Sequence, residues 1–174
     1  MVVTLVGDQR PVGIPVQQGV AVQSVEHYVE KYRAVVQEAV PEEQVLAVAV
    51  LSRPGSVGAA LAAQGSGLAY LGMNKHGKNA SGGLPMNVVV AATATRIIAF
   101  DFRPKMTSIK LKGRAAEWPR EGLQVTAERN TLATRLTFAW SNGAAVQLDS
   151  NRSIGQYNRM NDAFMAALGC AVPE

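Results

Sequence analysis

Residues with versatile side-chain chemistry are scarce in this chain. Its 174 residues include one cysteine, Cys170, and two histidines, His27 and His76. A single cysteine excludes an internal disulfide bond and a zinc site built on several thiolates. We therefore expect no cofactor, no metal site and no catalytic residues, and the sequence does not name a reaction.

Long apolar runs are also missing. Residues 45–72 carry a single charge, Arg53, but the sequence Arg53-Pro54-Gly55 and later glycines interrupt them. A membrane-spanning helix needs about 20 continuous apolar residues. The first 23 residues lack a positive start followed by an apolar stretch, so we do not expect a secretory signal. These features predict a cytoplasmic protein, with peripheral contact to a membrane surface as the alternative.

Charge is low and unevenly distributed along the chain. Charged residues make up 17% of the sequence and hydrophobic residues 48%, which is enough for an ordinary core. Residues 1–43 have a net charge of −3 and residues 44–174 a net charge of +7, which together give the formal +4. Opposite signs favour contact between the two segments. Two solvated surfaces of different composition explain the pattern equally well.

Two amphipathic helices are predicted, one before and one after the strands. The first covers residues 24–39 and ends at Val40-Pro41, because proline disfavours helical geometry in the residue before it. The second covers residues 151–168 and is closed by Gly169. The apolar stripe of the first helix should pack on the rest of the fold or on another subunit. Asn161, on the stripe of the second helix, should cap a strand backbone or lie at the edge of the packed face.

Closely spaced strands dominate the rest of the chain. Residues 44–51 predict a short buried strand, and the Gly-rich residues 52–83 receive no assignment. Further strands are predicted at residues 87–93, 95–102, 107–112 with 115–118, 123–128, 131–140 and 144–148. Loops of two to five residues exclude a parallel sheet. The order predicts an α+β fold in which a bent antiparallel sheet closes into a barrel and the second helix caps it.

Short strand and turn patterns extend over about residues 42–169. They comprise Leu84-Pro85 before Val88-Val89-Val90-Ala91, the hairpin at residues 93–100, Glu117-Trp118-Pro119-Arg120, Arg135-Leu136-Thr137, Asn142-Gly143, and Asn158 with Phe164 in the last helix. Together they resemble the bacterial pleckstrin-homology-like (PH-like) family. The resemblance implies a bent antiparallel PH-like β-barrel capped by a C-terminal helix over residues 42–170. Residues 1–41 would then be an extra arm and N-terminal helix, and residues 52–83 an insertion.

Basic residues cluster on one predicted strand and on the insertion. No acidic residue lies between Asp101 and Glu117. The basic residues of this stretch are Arg103, Lys105, Lys110, Lys112 and Arg114. Lys75, His76 and Lys78 of the insertion could complete an anion-binding surface with them. Many pleckstrin-like domains grip phosphoinositide headgroups with basic residues on early strands, so the resemblance implies lipid headgroups as ligands. A solvated strand face is the competing interpretation.

Residues 72–79 nearly match the phosphate-binding pattern G-x-x-x-x-G-K-[ST]. Asn79 stands where the pattern needs a hydroxyl, and residues 81–85 are a poor helix start, so a flexible basic loop is the better prediction. Nucleic acid is not expected as a partner, because no aromatic residues interleave with the basic ones.

Three classes of function stay open from the sequence. The first is a non-enzymatic binding or adaptor module whose partner is a protein or an anionic membrane surface, with homo-oligomerisation through the first helix. The second is a small-ligand or lipid-binding barrel opened by the Gly-rich insertion. The third is an enzyme, which we do not favour because no set of catalytic residues assembles.

Overall fold

The computed structural model describes residues 25–56, 76–105, 109–151 and 155–170. Helix α1 spans Val25–Ala39 and helix α2 spans Gly155–Ala167, and residues 76–80 are also helical. The strands between the two long helices are β1 Ala47–Ser52, β2 Asn87–Ala92, β3 Arg96–Pro104, β4 Ile109–Pro119, β5 Leu123–Arg129, β6 Ala133–Trp140 and β7 Ala145–Asn151.

These strands form a single antiparallel sheet with the order β4-β3-β2-β1-β7-β6-β5. Neighbours in the sheet are also neighbours in the chain, except where β1 meets β7. At this seam the register contains one pair, Ser52 with Asp149. The sheet therefore consists of two meanders, β1–β4 and β5–β7, that meet along a short contact. The predicted α+β class and antiparallel pairing are confirmed.

The predicted closure of the barrel is wrong for the described strands. β4 and β5 are the two edges of the sheet, although residues 120–122 connect them directly. Ile109 and Leu111 of β4 pack on the side of the sheet that α1 covers. Arg114 also donates to the carbonyl oxygen of Ala39, at the end of α1, over 3.1 Å. β4 thus follows the helix instead of pairing with β5.

Two tryptophans hold the sheet together at the turn between β4 and β5. The rings of Trp118 and Trp140 stack with centroids 5.7 Å apart. Trp140 Nε1 donates to the carbonyl oxygen of Pro119 over 2.7 Å, so the buried indole is satisfied. The two rings therefore pack at one end of the sheet.

Apolar clusters lie on both faces of the sheet. One face carries Phe164 and Met165 of α2 together with inward residues of all seven strands, and the other carries Tyr32 and Val36 of α1. Residues 88–92 of β2 are buried on both faces, which explains why this strand reads as a continuous apolar run in the sequence.

Helix α1 packs on the sheet of its own chain, as one alternative of the prediction proposed. Tyr32 Oη lies 3.0 Å from Tyr157 Oη of α2, and burial together with this hydrogen bond raises the pKa of Tyr32. The Gln37 amide bonds the backbone at Val40, Glu43 and Val45, which fixes the turn into β1. Self-association through α1 would have to use its exposed side and stays a prediction.

Helix α2 lies against the seam between β1 and β7. Asn161, which is fully buried, accepts from the Val50 amide over 2.9 Å and donates to the Val50 carbonyl oxygen over 3.0 Å. Its Nδ2 also donates to Ser150 Oγ over 2.9 Å. The expectation that Asn161 caps a strand backbone is confirmed.

The ends of α2 follow the predicted signals in part. At its C-terminus Gly169 has a φ of 70°, and the Cys170 amide donates to the Met165 carbonyl oxygen, as a glycine cap requires. At the other end the predicted helix start at residue 151 is wrong, because Asn151 pairs with Ala133 as the last residue of β7. Residues 152–154 lie outside the described residues.

Candidate anion-binding surface

Three basic side chains lie together where β3 and β4 are connected. Arg103 is directly opposite Lys110 in the β3–β4 register, and Lys105 follows the end of β3. All three are exposed. Like charges directly opposite one another on neighbouring strands are destabilising, so this pair repels unless an anion lies between them. We call Arg103, Lys105 and Lys110 the basic tip.

Arg103 and Lys110 of the basic tip project from the sheet face opposite to α1. Phe102 and Ile109, which neighbour the Arg103–Lys110 pair in the register, pack in the α1-facing cluster. Side chains alternate along a strand, so Arg103 and Lys110 point to the other face. Among the described residues, no acidic side chain forms an ion pair with the basic tip.

Lys112 lies beside the basic tip but is already paired. Its Nζ is 3.2 Å from Asp101 Oδ2 and 3.3 Å from Oδ1. Both side chains are substantially exposed, so solvent weakens the pair. Lys112 therefore contributes less uncompensated charge than Arg103 or Lys110.

Arg114 departs from the predicted surface. The β3–β4 register shifts between Asp101 and Phe102, which places Arg114 opposite Phe100, and it shifts again between Ala99 and Phe100. Its guanidinium group thus lies on the α1 side, 2.6 Å from Glu42 and 3.2 Å from Glu117. The alternation visible in the sequence could not predict this, because each shift reverses which face the following residues occupy.

Arg114 belongs to a cluster of five charged side chains, which we call the ionic clamp. Its members are Glu42, Glu43, Arg96, Arg114 and Glu117. Arg96 lies at its centre, 2.6 Å from both Glu43 and Glu117 and 3.1 Å from Glu42. Hydrogen bonding from Arg114 lowers the pKa of Glu42 from 4.5 to about 2. Hydrogen bonds to the glutamates likewise raise the pKa of Arg96 and Arg114.

The ionic clamp joins the acidic first segment of the chain to the basic remainder. Glu42 and Glu43 belong to the first 43 residues, and both arginines belong to the rest. The sequence indicated such a contact through the opposite charges of the segments. It did not identify the residues, because Arg96 lies more than 50 residues from its partners in the first segment.

The insertion contributes less than the sequence suggested. Lys78 and His76 are exposed on the helical residues 76–80. None of the described contacts joins Lys78 to the basic tip, and Lys75 lies outside the described residues. Of the seven lysines and arginines proposed from the sequence, the basic tip contains three.

A buried carboxylate lies at the seam of the sheet. Asp149 is 3% exposed and accepts from Arg135 Nε over 2.9 Å and from the Gly55 amide over 2.9 Å. Hydrogen bonding to Asp149 raises the pKa of Arg135. These bonds satisfy a charge that would otherwise be costly to bury, so we assign Asp149 a structural role.

An open depression of about 510 Å³ lies near the ionic clamp, lined by Ala94, Thr95, Pro119, Arg120 and Glu121. The guanidinium group of Arg120 already forms hydrogen bonds within the chain: it donates to the carbonyl oxygens of Thr93 and Ala167, each over 2.9 Å. The second bond anchors the C-terminal turn of α2, where carbonyl groups lack helical partners.

Comparison with known proteins assigns no family to the chain: no family model matches it, and neither does any curated protein. Within the described ranges, no three His, Cys, Asp or Glu side chains group closely enough to hold a metal ion. The helices in those ranges are too short or too polar to cross a bilayer.

Proposed function

We propose that this chain is a non-enzymatic binding module that docks on an anionic membrane surface through its basic tip. The observation that carries the proposal is the Arg103–Lys110 pair, two like charges in register with no described acidic partner. An anionic lipid headgroup between the two side chains would remove their repulsion and use both as hydrogen-bond donors.

The basic tip lies at an exposed end of β3, a position that a flat partner such as a bilayer surface can contact. Pro104 and Lys105 are exposed at the end of β3, and the connection to β4 begins there. Each basic residue near an anionic bilayer contributes about 1 kcal/mol, so the three residues together contribute about 3 kcal/mol, which corresponds to a weak and reversible attachment. A curved antiparallel sheet carrying a C-terminal helix is also what a PH-like domain would have, and we include PH-like identity in the proposal.

Vesicle co-sedimentation tests the proposal. The protein should sediment with vesicles that contain acidic lipids and stay in solution with neutral ones, and binding should fall as salt rises because exposed charges are screened. Lys110→Gln should weaken binding about fivefold, the equivalent of about 1 kcal/mol.

A control variant keeps the net charge and moves its position. Ala94 is exposed in the turn before β3, roughly 25 Å along the strand from Arg103. The double variant Lys110→Gln with Ala94→Lys should bind as weakly as Lys110→Gln alone. Recovery of binding in the double variant would mean that net charge rather than the basic tip drives attachment. If the wild-type protein does not sediment with acidic vesicles at low salt, the proposal of a membrane partner is refuted and a protein partner is the alternative.

A further inference from the structure

The two edges of the sheet differ in how they are protected against an additional strand. β4 carries two register shifts, the lysines Lys110 and Lys112, and Pro119 at its end. Bulges, lysines and prolines are the features by which sheet proteins prevent pairing at an edge. The β4 edge is therefore blocked.

The β5 edge lacks these features. It pairs with β6 without a shift, from Leu123 opposite Trp140 to Arg129 opposite Thr134, and contains neither proline nor lysine. Leu123, Val125 and Ala127 pack against the core, while the alternate side chains are exposed. β5 is thus a regular strand, and no other described strand pairs with its outer edge.

The hydrogen-bond pattern shows which backbone groups point outward. The Asn130 amide donates to the Ala133 carbonyl oxygen over 2.9 Å, which fixes the alternation of pairs along β5 and β6. Counting back along the strand, Thr126 bonds to β6, whereas Val125 and Ala127 direct their N–H and C=O groups away from it. No other described segment bonds to these outward groups.

We propose that β5 pairs with β5 of a second copy of this chain, antiparallel about a two-fold axis at Thr126. In this register all seven residues of β5 overlap and the turn before Leu123 is excluded. Gln124 faces the second copy's Glu128, and Val125 faces its Ala127, so an amide meets a carboxylate and apolar meets apolar. The same construction on β4 would place Arg114 opposite its own copy. The residues that would face each other therefore favour dimer formation through β5 and oppose it through β4.

Cysteine cross-linking tests the register directly. Thr126 would form a non-hydrogen-bonded pair with itself across the axis, with Cα atoms about 4.5 Å apart, a spacing that a disulfide accepts. Thr126→Cys should therefore form a covalent dimer under mild oxidation. The matched control Gln124→Cys should not, because its two copies are far apart in this register. The native Cys170 is buried and does not compete.

Charge variants test the interface without oxidation. In sedimentation velocity, the wild-type chain should show a concentration-dependent dimer. Thr126→Lys should shift it to monomer, since two lysines would meet on the axis, whereas Gln124→Lys should keep the dimer because it faces Glu128. Circular dichroism verifies that each variant is folded. A wild-type chain that stays monomeric at high concentration, or a dimer that Thr126→Lys leaves intact, overturns the proposal. These readouts need no lipid, so they are independent of the proposed function.

Discussion

Asn161 is a single buried amide that replaces part of a strand ladder. β1 and β7 share one register pair, and the Asn161 side chain satisfies both backbone groups of Val50 beside it. A polar residue on the apolar stripe of a helix is normally unfavourable, but here all its bonds are local to the seam. At the scale of one residue, this contact shows how a helix side chain can supply the backbone hydrogen bonds that a neighbouring strand would otherwise make.

Removal of this amide should destabilise the fold. Asn161→Ala leaves the Val50 amide and carbonyl groups buried without partners, so we expect a loss of about 2 to 4 kcal/mol in the free energy of unfolding. Denaturant titration measures the loss. Asp162→Ala, at the exposed neighbouring position, is the control and should change stability little. Equal stability of the two variants would contradict the assigned role.

Glu42 gives the ionic clamp a dependence on pH. Its pKa is lowered in the folded chain to about 2, from 4.5. A lowered folded pKa stabilises the protein above the unfolded value, and this contribution is lost as pH falls from about 4.5 towards 2. Melting temperature should therefore fall less steeply over this window in Glu42→Gln than in the wild type. Glu38→Gln, on an exposed position of α1, should keep the wild-type slope; identical slopes in all three proteins would exclude the clamp as the cause.

Helix α1 is held by its buried stripe as well as by the ionic clamp. Val36 is fully buried against the sheet, whereas its neighbour Val35 is half-buried. Both positions carry a valine, so a difference in stability between their alanine variants reports the difference in burial.

Truncation of these valines should therefore have unequal effects. Val36→Ala should lower the free energy of unfolding by about 2 kcal/mol, since it removes buried methyl groups and leaves a cavity. Val35→Ala should cost less than half as much. Thermal and denaturant unfolding measure both values, and a larger loss at Val35 would show that α1 faces the sheet differently.

At the scale of elements, local patterns predicted the secondary structure well and the pairing of edges poorly. Val29, Tyr32 and Val36 recur at helical spacing, and β2 is a short continuous apolar run. The order of apolar residues alone therefore predicts α1 and β2. The sequence pattern does not predict whether the sheet closes, because closure depends on which surface Ile109 and Leu111 cover. Those residues alternate as a half-buried strand whether their partner is β5 or α1.

The candidate site was predictable in the same limited way. The stretch without acidic residues identified Arg103, Lys105 and Lys110, and their grouping needed only a hairpin. The departure of Arg114 needed the bulge beside Lys112, where the register shifts between Asp101 and Phe102, and this bulge leaves no clear mark in the sequence. The partners of Arg96 were hidden by their distance along the chain, although the charge of the first 43 residues indicated that some contact of this kind would form.

At the scale of the whole molecule, the sheet divides into two meanders with mostly local connections. β1–β4 pair in chain order, and so do β5–β7. The long-range joints are the seam, the tryptophan stack, the ionic clamp and the two helices. Local pairings form at low entropic cost, so β2–β4 and β5–β7 can each form before β1, which residues 53–86 separate from β2, joins them.

The single Ser52–Asp149 pair also determines how the molecule would respond to tension. A ladder loaded along its length must break several hydrogen bonds at once, whereas this joint has one register pair, reinforced by Asn161 and Asp149. Opposing forces applied to β2 and β6 would therefore rupture the molecule between β1 and β7 first, releasing two intact hairpin assemblies rather than an unravelled chain.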